Sequence, residues 1–492
     1  MKIASPKLGT AHLNANDEAL LRCKTALEQK DKGDYAGALE TMRPLWKGVG
    51  SRPKTTGLDP YVIAEVLLCV GILTGWLGSK NQILNSQELA KNLITQSMNY
   101  FESIRDLTKV AVAQSEIAYC YYREGTLNEA RSWLRDALDK LTFEGASRAR
   151  ALLKLTTVEC SAARFREALA LLEDNDALFQ KITTHIIKGG YHSELAIVLR
   201  NLATTENRLE YFQRAIEEYK EAEKQFRLAQ NPIYRADQLN NIGFLLFKLG
   251  HYKEAHKYLD EARRLTARFK DKARTAQIDD SRAQVLIAEG RLVEAERVAR
   301  RAVSALEKSG HFCMMAEALI TQGVALARLG RTAQAHVSFR QAIEAAHQVN
   351  ALNVAGLAAL TLIEEIQELS PEIIQAAYRQ ARDWLASSQS PDIKLRLADV
   401  AGRVVASITT DMSADEATEI LLTEPGGLRA QLEKHERVVI KRALAEVGGR
   451  VTHAASLLDM RYQSLAYIIE RRHPDLLKTR TPIRRRQRNR KK

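Results

Sequence analysis

Arg461, Tyr462, Gln463 and Tyr467 are side chains that hydrogen-bond or stack on base edges. Around them stand Arg450, Thr452, His453, Arg471 and Arg472, which suit phosphate oxygens. A further basic run, with Arg484, Arg485 and Arg486 at its centre, supplies phosphate affinity but no sequence information. Such chemistry needs a rigid element to present it. In VTHAASLLDMRYQSLAYIIE, residues 451–470, Ala454, Leu458, Met460, Leu465 and Ile468 are spaced to face one small core, and Ala455 permits a close helix crossing. The pattern predicts two short helices joined by a turn, the second laying its polar side in a major groove.

Residues 431–472 resemble the Fis-type helix-turn-helix found at the C-terminus of many bacterial transcriptional regulators. Glu436, Ile440, Ala443 and Leu444 correspond to that family's first helix, Gly448-Gly449 to its glycine turn, and Ala454-Ala455 with Leu457-Leu458 to its second helix. The chain departs from the pattern at Arg450 (usually Asn), at Asp459 (usually Gly) and at Ala466-Tyr467-Ile468 (usually Tyr-Arg-Lys). Asp tolerates a left-handed turn conformation. The third departure falls on the reading face, so it bears on the target sequence and not on the fold. The resemblance implies binding to double-stranded DNA as a homodimer on inverted half-sites.

The charge distribution points the same way. Residues 428–492 hold 18 Lys and Arg against 6 Asp and Glu, a net of +12, whereas the whole chain carries +13, so residues 1–427 are almost neutral. A neutral body with one basic end is the footprint of a nucleic-acid contact on a larger scaffold. RNA or an anionic surface would also attract such a tail.

The scaffold is periodic. Gly250, Gly290 and Gly330 lie 40 residues apart, as do Ala255, Ala295 and Ala335, and Ala262, Ala302 and Ala342. Each Gly separates two amphipathic runs, as a helix-ending residue does, and the Ala pairs seven apart mark one face of the next helix. This resembles the tetratricopeptide repeat, with Gly243 and Gly323 at the helix-A glycine and Tyr252, Leu292 and Thr332 after the turn. Looser units are marked by Gly33, Tyr35 and Ala38, by Gly71, Gly78 and Ala90, by Ala118, Gly125, Ala130 and Ala137, by Phe165 and Ala168, and by Phe212, Ala215 and Ala222. The chain is therefore predicted to be all-α, a tetratricopeptide-like α-solenoid of about eight helical pairs followed by a small helix-turn-helix domain and a basic tail. The expected boundaries are a flexible N-terminus over 1–15, repeats over 16–395, a helical junction over 396–430, the reader over 431–477 and a disordered basic tail over 478–492. A solenoid of this kind offers a concave surface for a protein, peptide or small-ligand signal, or merely spaces or dimerises the DNA-binding end.

Within the junction, Asp411, Asp415, Glu416, Glu419 and Glu424 form an acidic stretch without a basic residue. Ser413 and Glu416 have capping-box spacing, which predicts a short helix over 414–422; the stretch is also suited to cover the basic tail. Tyr61 to Gly78 is apolar over nearly the length of a membrane span, but Glu65 interrupts it and Gly71 and Gly78 keep repeat spacing, so a buried repeat helix is expected. The opening residues lack the basic-then-apolar build of a leader, so a cytoplasmic protein without a membrane partner is expected.

Cys23, Cys69, Cys120, Cys160 and Cys313 have no paired spacing and are expected to be reduced core residues. The eleven His are scattered, and no metal or cofactor is expected; His453 and His473, flanking the reading helix, are expected to meet phosphate or solvent. Phosphate-binding loops, nucleophile elbows and dinucleotide fingerprints are missing, so no catalytic residue is assigned and an enzyme is not expected. The competing reading is a non-enzymatic tetratricopeptide interaction scaffold whose tail binds nucleic acid, RNA included, non-specifically.

Overall fold

The computed structural model describes residues 13–143, 145–386, 388, 390–411, 427–458, 460 and 462–479. All regular structure among them is helical, and the chain divides into two compact units, Met1–Gly402 and Arg403–Lys492.

The described residues of the first unit form nine consecutive helical hairpins. These are α1 (Ala15–Asp31) with α2 (Tyr35–Met42), α3 (Pro60–Lys80) with α4 (Ser86–Ser103), α5 (Leu107–Glu124) with α6 (Leu127–Lys140), and α7 (Ala146–Ser161) with α8 (Phe165–Glu173). After the short α9 (Asp176–Lys181) come α10 (His185–Glu206) with α11 (Leu209–Leu228), α12 (Pro232–Lys248) with α13 (Tyr252–Arg268), and α14 (Lys272–Ala288) with α15 (Leu292–Ser309). The last two are α16 (Phe312–Arg328) with α17 (Thr332–Gln348) and α18 (Leu352–Glu365) with α19 (Pro371–Trp384); α20 (Pro391–Asp411) follows.

The periodic residues do what their types require. At Gly250 the backbone has φ +81°, its N–H donates to the Phe247 carbonyl (2.9 Å), and the His251 N–H donates to the Leu246 carbonyl (2.9 Å). That pair of bonds is a Schellman cap, and it recurs at Gly290 and Gly330, each with φ +76°. The six periodic alanines are buried at the helix crossings. Gly243 and Gly323 allow a still closer approach: a Cβ at either position would meet Leu259 Cγ or Phe339 Cε1 at 2.7 Å.

The solenoid coils far enough for its first hairpin to touch its sixth. Asp31, at the end of α1, accepts from Arg150 (2.7 Å), its carbonyl accepts from Asn231 Nδ2 (2.8 Å), and Ile233 packs over Gly33. Helix α3 is long and apolar enough to cross a membrane by composition, yet most of it is buried between α1 and α4, as expected of a repeat helix. Two cysteines depart from the expected core placement. Cys23, Cys69 and Cys120 are buried, but Cys160 is half-buried and Cys313 is exposed at the first turn of α16.

Candidate nucleic-acid interface

The second unit places three further helices, α21 (Gly427–Glu446), α22 (Val451–Leu457) and α23 (Tyr462–Arg471), ahead of a 3-10 turn over Pro474–Thr479. Helix α21 ends as the sequence predicts. Gly448 and Gly449 have φ +63° and +78°, and the Gly449 N–H donates to the Leu444 carbonyl at 2.8 Å. The Met460 N–H donates to the Ala455 carbonyl (2.8 Å), closing the turn between α22 and α23.

Ile440, Ala443 and Leu444 from α21, Val451, Ala454 and Ala455 from α22, Leu465 and Ile469 from α23, and Leu476 are buried together, with Leu458, Met460 and Ile468 packed at the edge. Ala454 and Ala455 are small where α22 crosses its neighbours, which the spacing anticipates. On α23 the fully buried residues are Leu465 and Ile469, and Ile468, an expected core residue, is only half-buried. Leu465 and Ile469 are one helical turn apart and define the inner stripe. Leu457, matched to the second helix in the sequence, is half exposed.

Turning two residues from the Leu465–Ile469 stripe rotates about 200° around the helix, so Gln463, Tyr467 and Arg471 form the opposite, outer stripe. All three are exposed, Tyr467 at 61%. Tyr462 is exposed in the first turn of α23. Thr452 and His453 are exposed in the first turn of α22, with Arg450 just ahead of it. Arg461 and the tail residues Arg484, Arg485 and Arg486 lie outside the described residues, as do Asp459 and the acidic stretch beyond Asp411.

Two basic positions have structural partners that the sequence does not reveal. Glu436 on α21 accepts from Arg472 Nη1 on one oxygen (3.0 Å) and meets His473 Nε2 on the other (2.9 Å). His473 is 4% exposed, which corrects the expectation that it meets phosphate or solvent: its ring closes the C-terminal end of the small core. Nearby, Arg437 donates twice to Asp475 Oδ2 (2.6 and 3.0 Å) and holds that carboxyl below its usual range. Both clamps join α21 to the segment after α23 and so fix the third helix against the first. Glu436 is visible in the sequence as a first-helix residue, but its partners lie 36 and 37 positions away.

Residues 431–471 match the family model described as bacterial regulatory protein, Fis family, and residues 235–268 match a tetratricopeptide repeat. This chain carries tetratricopeptide repeats and a Fis-family helix-turn-helix. The helix-turn-helix match begins in α21 and ends at the last residue of α23, so it covers the core and both stripes just described. The repeat match covers the hairpin α12/α13, with the first of the periodic glycines at its turn.

No curated protein matches the chain significantly. Solved structures similar to it include a Signal Transduction ATPase with Numerous Domains protein with a tetratricopeptide repeat sensor from Pyrococcus horikoshii (15% identity, TM-score 0.47, 73% of this chain and 54% of that one). Others are aspartyl phosphate phosphatase F from Bacillus subtilis (11%, TM-score 0.46, 79% and 95%) and yeast Tom70 (13%, TM-score 0.43, 83% and 86%). The chain thus spans about half the length of the first of these.

Proposed function

We propose that the protein is a cytoplasmic, sequence-specific DNA-binding transcriptional regulator whose repeat domain receives a protein, peptide or small-ligand signal. The observation that carries this reading is the two-sided α23: a buried Leu465–Ile469 stripe backs an exposed Gln463–Tyr467–Arg471 stripe within a segment that matches the Fis family. Tyr462, Gln463, Tyr467 and Arg461 are assigned to base edges. Arg450, Thr452, His453, Arg471 and Arg472 are assigned to phosphates, with Arg484, Arg485 and Arg486 adding salt-sensitive affinity.

Arg472 keeps this assignment beside its pair with Glu436, because its side chain remains half exposed. A single ten-residue helix reads few base pairs, so two copies on inverted half-sites are required for useful discrimination; exposed Val438 and Val439 on α21 support such pairing. The protein acts by binding, without catalysis.

The test is selection of the full-length protein on a random duplex pool across a salt series. Enrichment of a palindromic site that persists as salt rises supports the proposal. Uniform binding that collapses with salt refutes it and favours a repeat scaffold with a non-specific nucleic-acid tail.

A further inference from the structure

The first unit ends within α20, the helix that follows the ninth hairpin. A repeat stack buries its core between neighbours, so its last helix needs either a polar outer face or a further neighbour. The inner side of α20 is occupied. Val400 is buried, and Arg396 donates to the two Glu364 oxygens on α18 (2.8 and 2.6 Å) and to Thr361 Oγ1 (3.1 Å). The outer side is not polar: Leu395, Ala398, Gly402 and Val405 recur at steps of three, four and three residues and share the face opposite Val400. All four are exposed, Leu395 at 64% and Val405 at 60%.

Steps of three and four are those of a coiled-coil seam, with Leu395 and Gly402 at a and Ala398 and Val405 at d. The middle of the seam is small. Glycine weakens a helix interior, and among the described residues nothing packs within 4 Å of where a Gly402 Cβ would stand, so no contact inside the unit calls for it. Close approach of a facing helix does. The edges of the seam carry opposite charges: exposed Lys394 stands at g on one side and exposed Asp399 at e on the other, and neither is ion-paired among the described residues. Five positions apart, they are the g-to-e pair of a parallel two-stranded coil, in which Lys394 of each copy meets Asp399 of the other. An antiparallel arrangement would set cation against cation and acid against acid, so the charges select the parallel one. The chain's own next segment is a poor occupant, because Asp411 to Glu424 contains five acidic residues and no basic one to meet Asp399.

We propose that α20 pairs in parallel with α20 of a second copy of this chain, through a seam of Leu395, Ala398, Gly402 and Val405 closed on both edges by Lys394 and Asp399. The proposal rests on the reading of the protein as a dimer on inverted half-sites, and it assigns the pairing to a helix ahead of the Fis-type segment. Such a contact is isologous, with its two-fold axis along the seam, so both chains leave it from the same end.

Sedimentation equilibrium of the full-length protein without DNA, at low salt, tests the seam. Wild type is expected to dimerise reversibly. Leu395→Asp should stay monomeric with an unchanged melting curve, since the side chain it replaces is mostly exposed. Lys394→Asp and Asp399→Lys, each sedimented alone, bring like charges together on both edges and should dimerise about tenfold more weakly than wild type. An equimolar mixture of these two variants restores opposite charges on both edges and should recover wild-type association, which a folding defect would not allow. A wild type that stays monomeric to about 100 µM overturns the proposal, as does undiminished pairing of Leu395→Asp or a mixture that fails to recover. Association of the mixture beyond that of wild type overturns the parallel arrangement. Because no DNA is present, the result is independent of the duplex selection: a palindrome enriched by a protein whose α20 variants still pair leaves the regulator standing and moves the pairing to another face.

Discussion

Leu465→Ala and Gln463→Ala, two residues apart on α23, should separate the folding of the reader from its reading. Leu465 is fully buried within a core of nine buried apolar side chains among the described residues. Removing a buried leucine side chain costs about 2–5 kcal/mol, and a core of this size holds roughly 3–5 kcal/mol in all. The substitution therefore removes most of the stability of the small domain and almost none of that of the repeats. Hydrogen exchange should show the amides of 440–470 losing protection while those of α12 to α17 keep theirs, and affinity for the selected site should fall to the level of random DNA. Gln463 is exposed and touches none of the core, so Gln463→Ala should change stability by less than about 0.5 kcal/mol. It should instead cost about 1–3 kcal/mol of discrimination at one base position, roughly 5- to 150-fold, with random-DNA affinity nearly unchanged. Preserved exchange protection in Leu465→Ala would refute the account of the core. A Gln463→Ala protein that loses specific and random binding equally would refute the assignment of the outer stripe.

The remaining predictions concern charge and packing. Burial raises the Glu194 carboxyl to about 7, against the hydrogen bond that Thr157 donates to it. The folded state thus favours the protonated form, and stability falls as pH rises from about 4.5 to about 7, by at most about 3 kcal/mol. Glu194→Gln should remove this slope and melt higher than wild type at pH 8 but not at pH 4; parallel melting curves at both pH values would sink the argument. Gly323→Ala gains about 1 kcal/mol of helix propensity but drives a methyl into the buried Phe339 ring, an overpacking of about 1–3 kcal/mol, so a net loss of up to about 2 kcal/mol is expected by chemical denaturation. Replacing Arg484, Arg485 and Arg486 by Gln should reduce the salt dependence of DNA binding by about 2.7 in logarithmic slope without changing the selected sequence. An altered site preference would contradict the division of labour between tail and helix.

The solenoid is most legible where its turns use glycine. The Schellman cap needs a residue at positive φ, glycine adopts that conformation without steric cost, and the 40-residue spacing of Gly250, Gly290 and Gly330 therefore reports helix ends directly. The neighbouring turns use the same geometry with other residues. Arg105, Ala163, Gln230, Lys270 and Asn350 all take φ between 54° and 58° and follow helices that end in the same bonds, as where the Lys270 N–H donates to the Ala267 carbonyl and the Asp271 N–H to the Thr266 carbonyl. These L residues bear a steric cost of about 1–2 kcal/mol each that the packed hairpins outweigh. Except for Asn350, whose type tolerates the left-handed conformation, their identity carries no turn signal, so the turns at Arg105, Ala163, Gln230 and Lys270 cannot be read from the sequence. In the second unit the same contrast separates the core from its clamps: Ala454, Ala455 and Leu465 are legible from spacing, whereas the burial of His473 depends on Glu436, far away along the chain.

The cavity that α3 and α5 form with α12 and α14, lined by Trp76, Tyr119, Arg123, Asn240 and Arg274, is illegible in the sequence for a deeper reason. In a repeat protein the positions that recur are those that neighbours use to stack, and a recurring residue says little about what any one repeat binds. Ala255 is followed 40 and 80 residues later by alanine, and all three are buried at crossings. At the cavity the series break: Asn240 gives way to Asp280 and Ile320, and Arg274 to Met314 and Val354. Coiling then brings the non-recurring residues of hairpins two and three against those of hairpins six and seven, across more than 100 residues of chain. Even there, residue type alone does not fix a role. Arg131, only eight positions beyond Arg123, is completed within the fold by a bidentate pair with Glu159 (2.6 and 2.9 Å), while Arg123 stacks over the Trp76 and Tyr119 rings. Function in the repeats is therefore to be sought where periodicity fails and not where it holds.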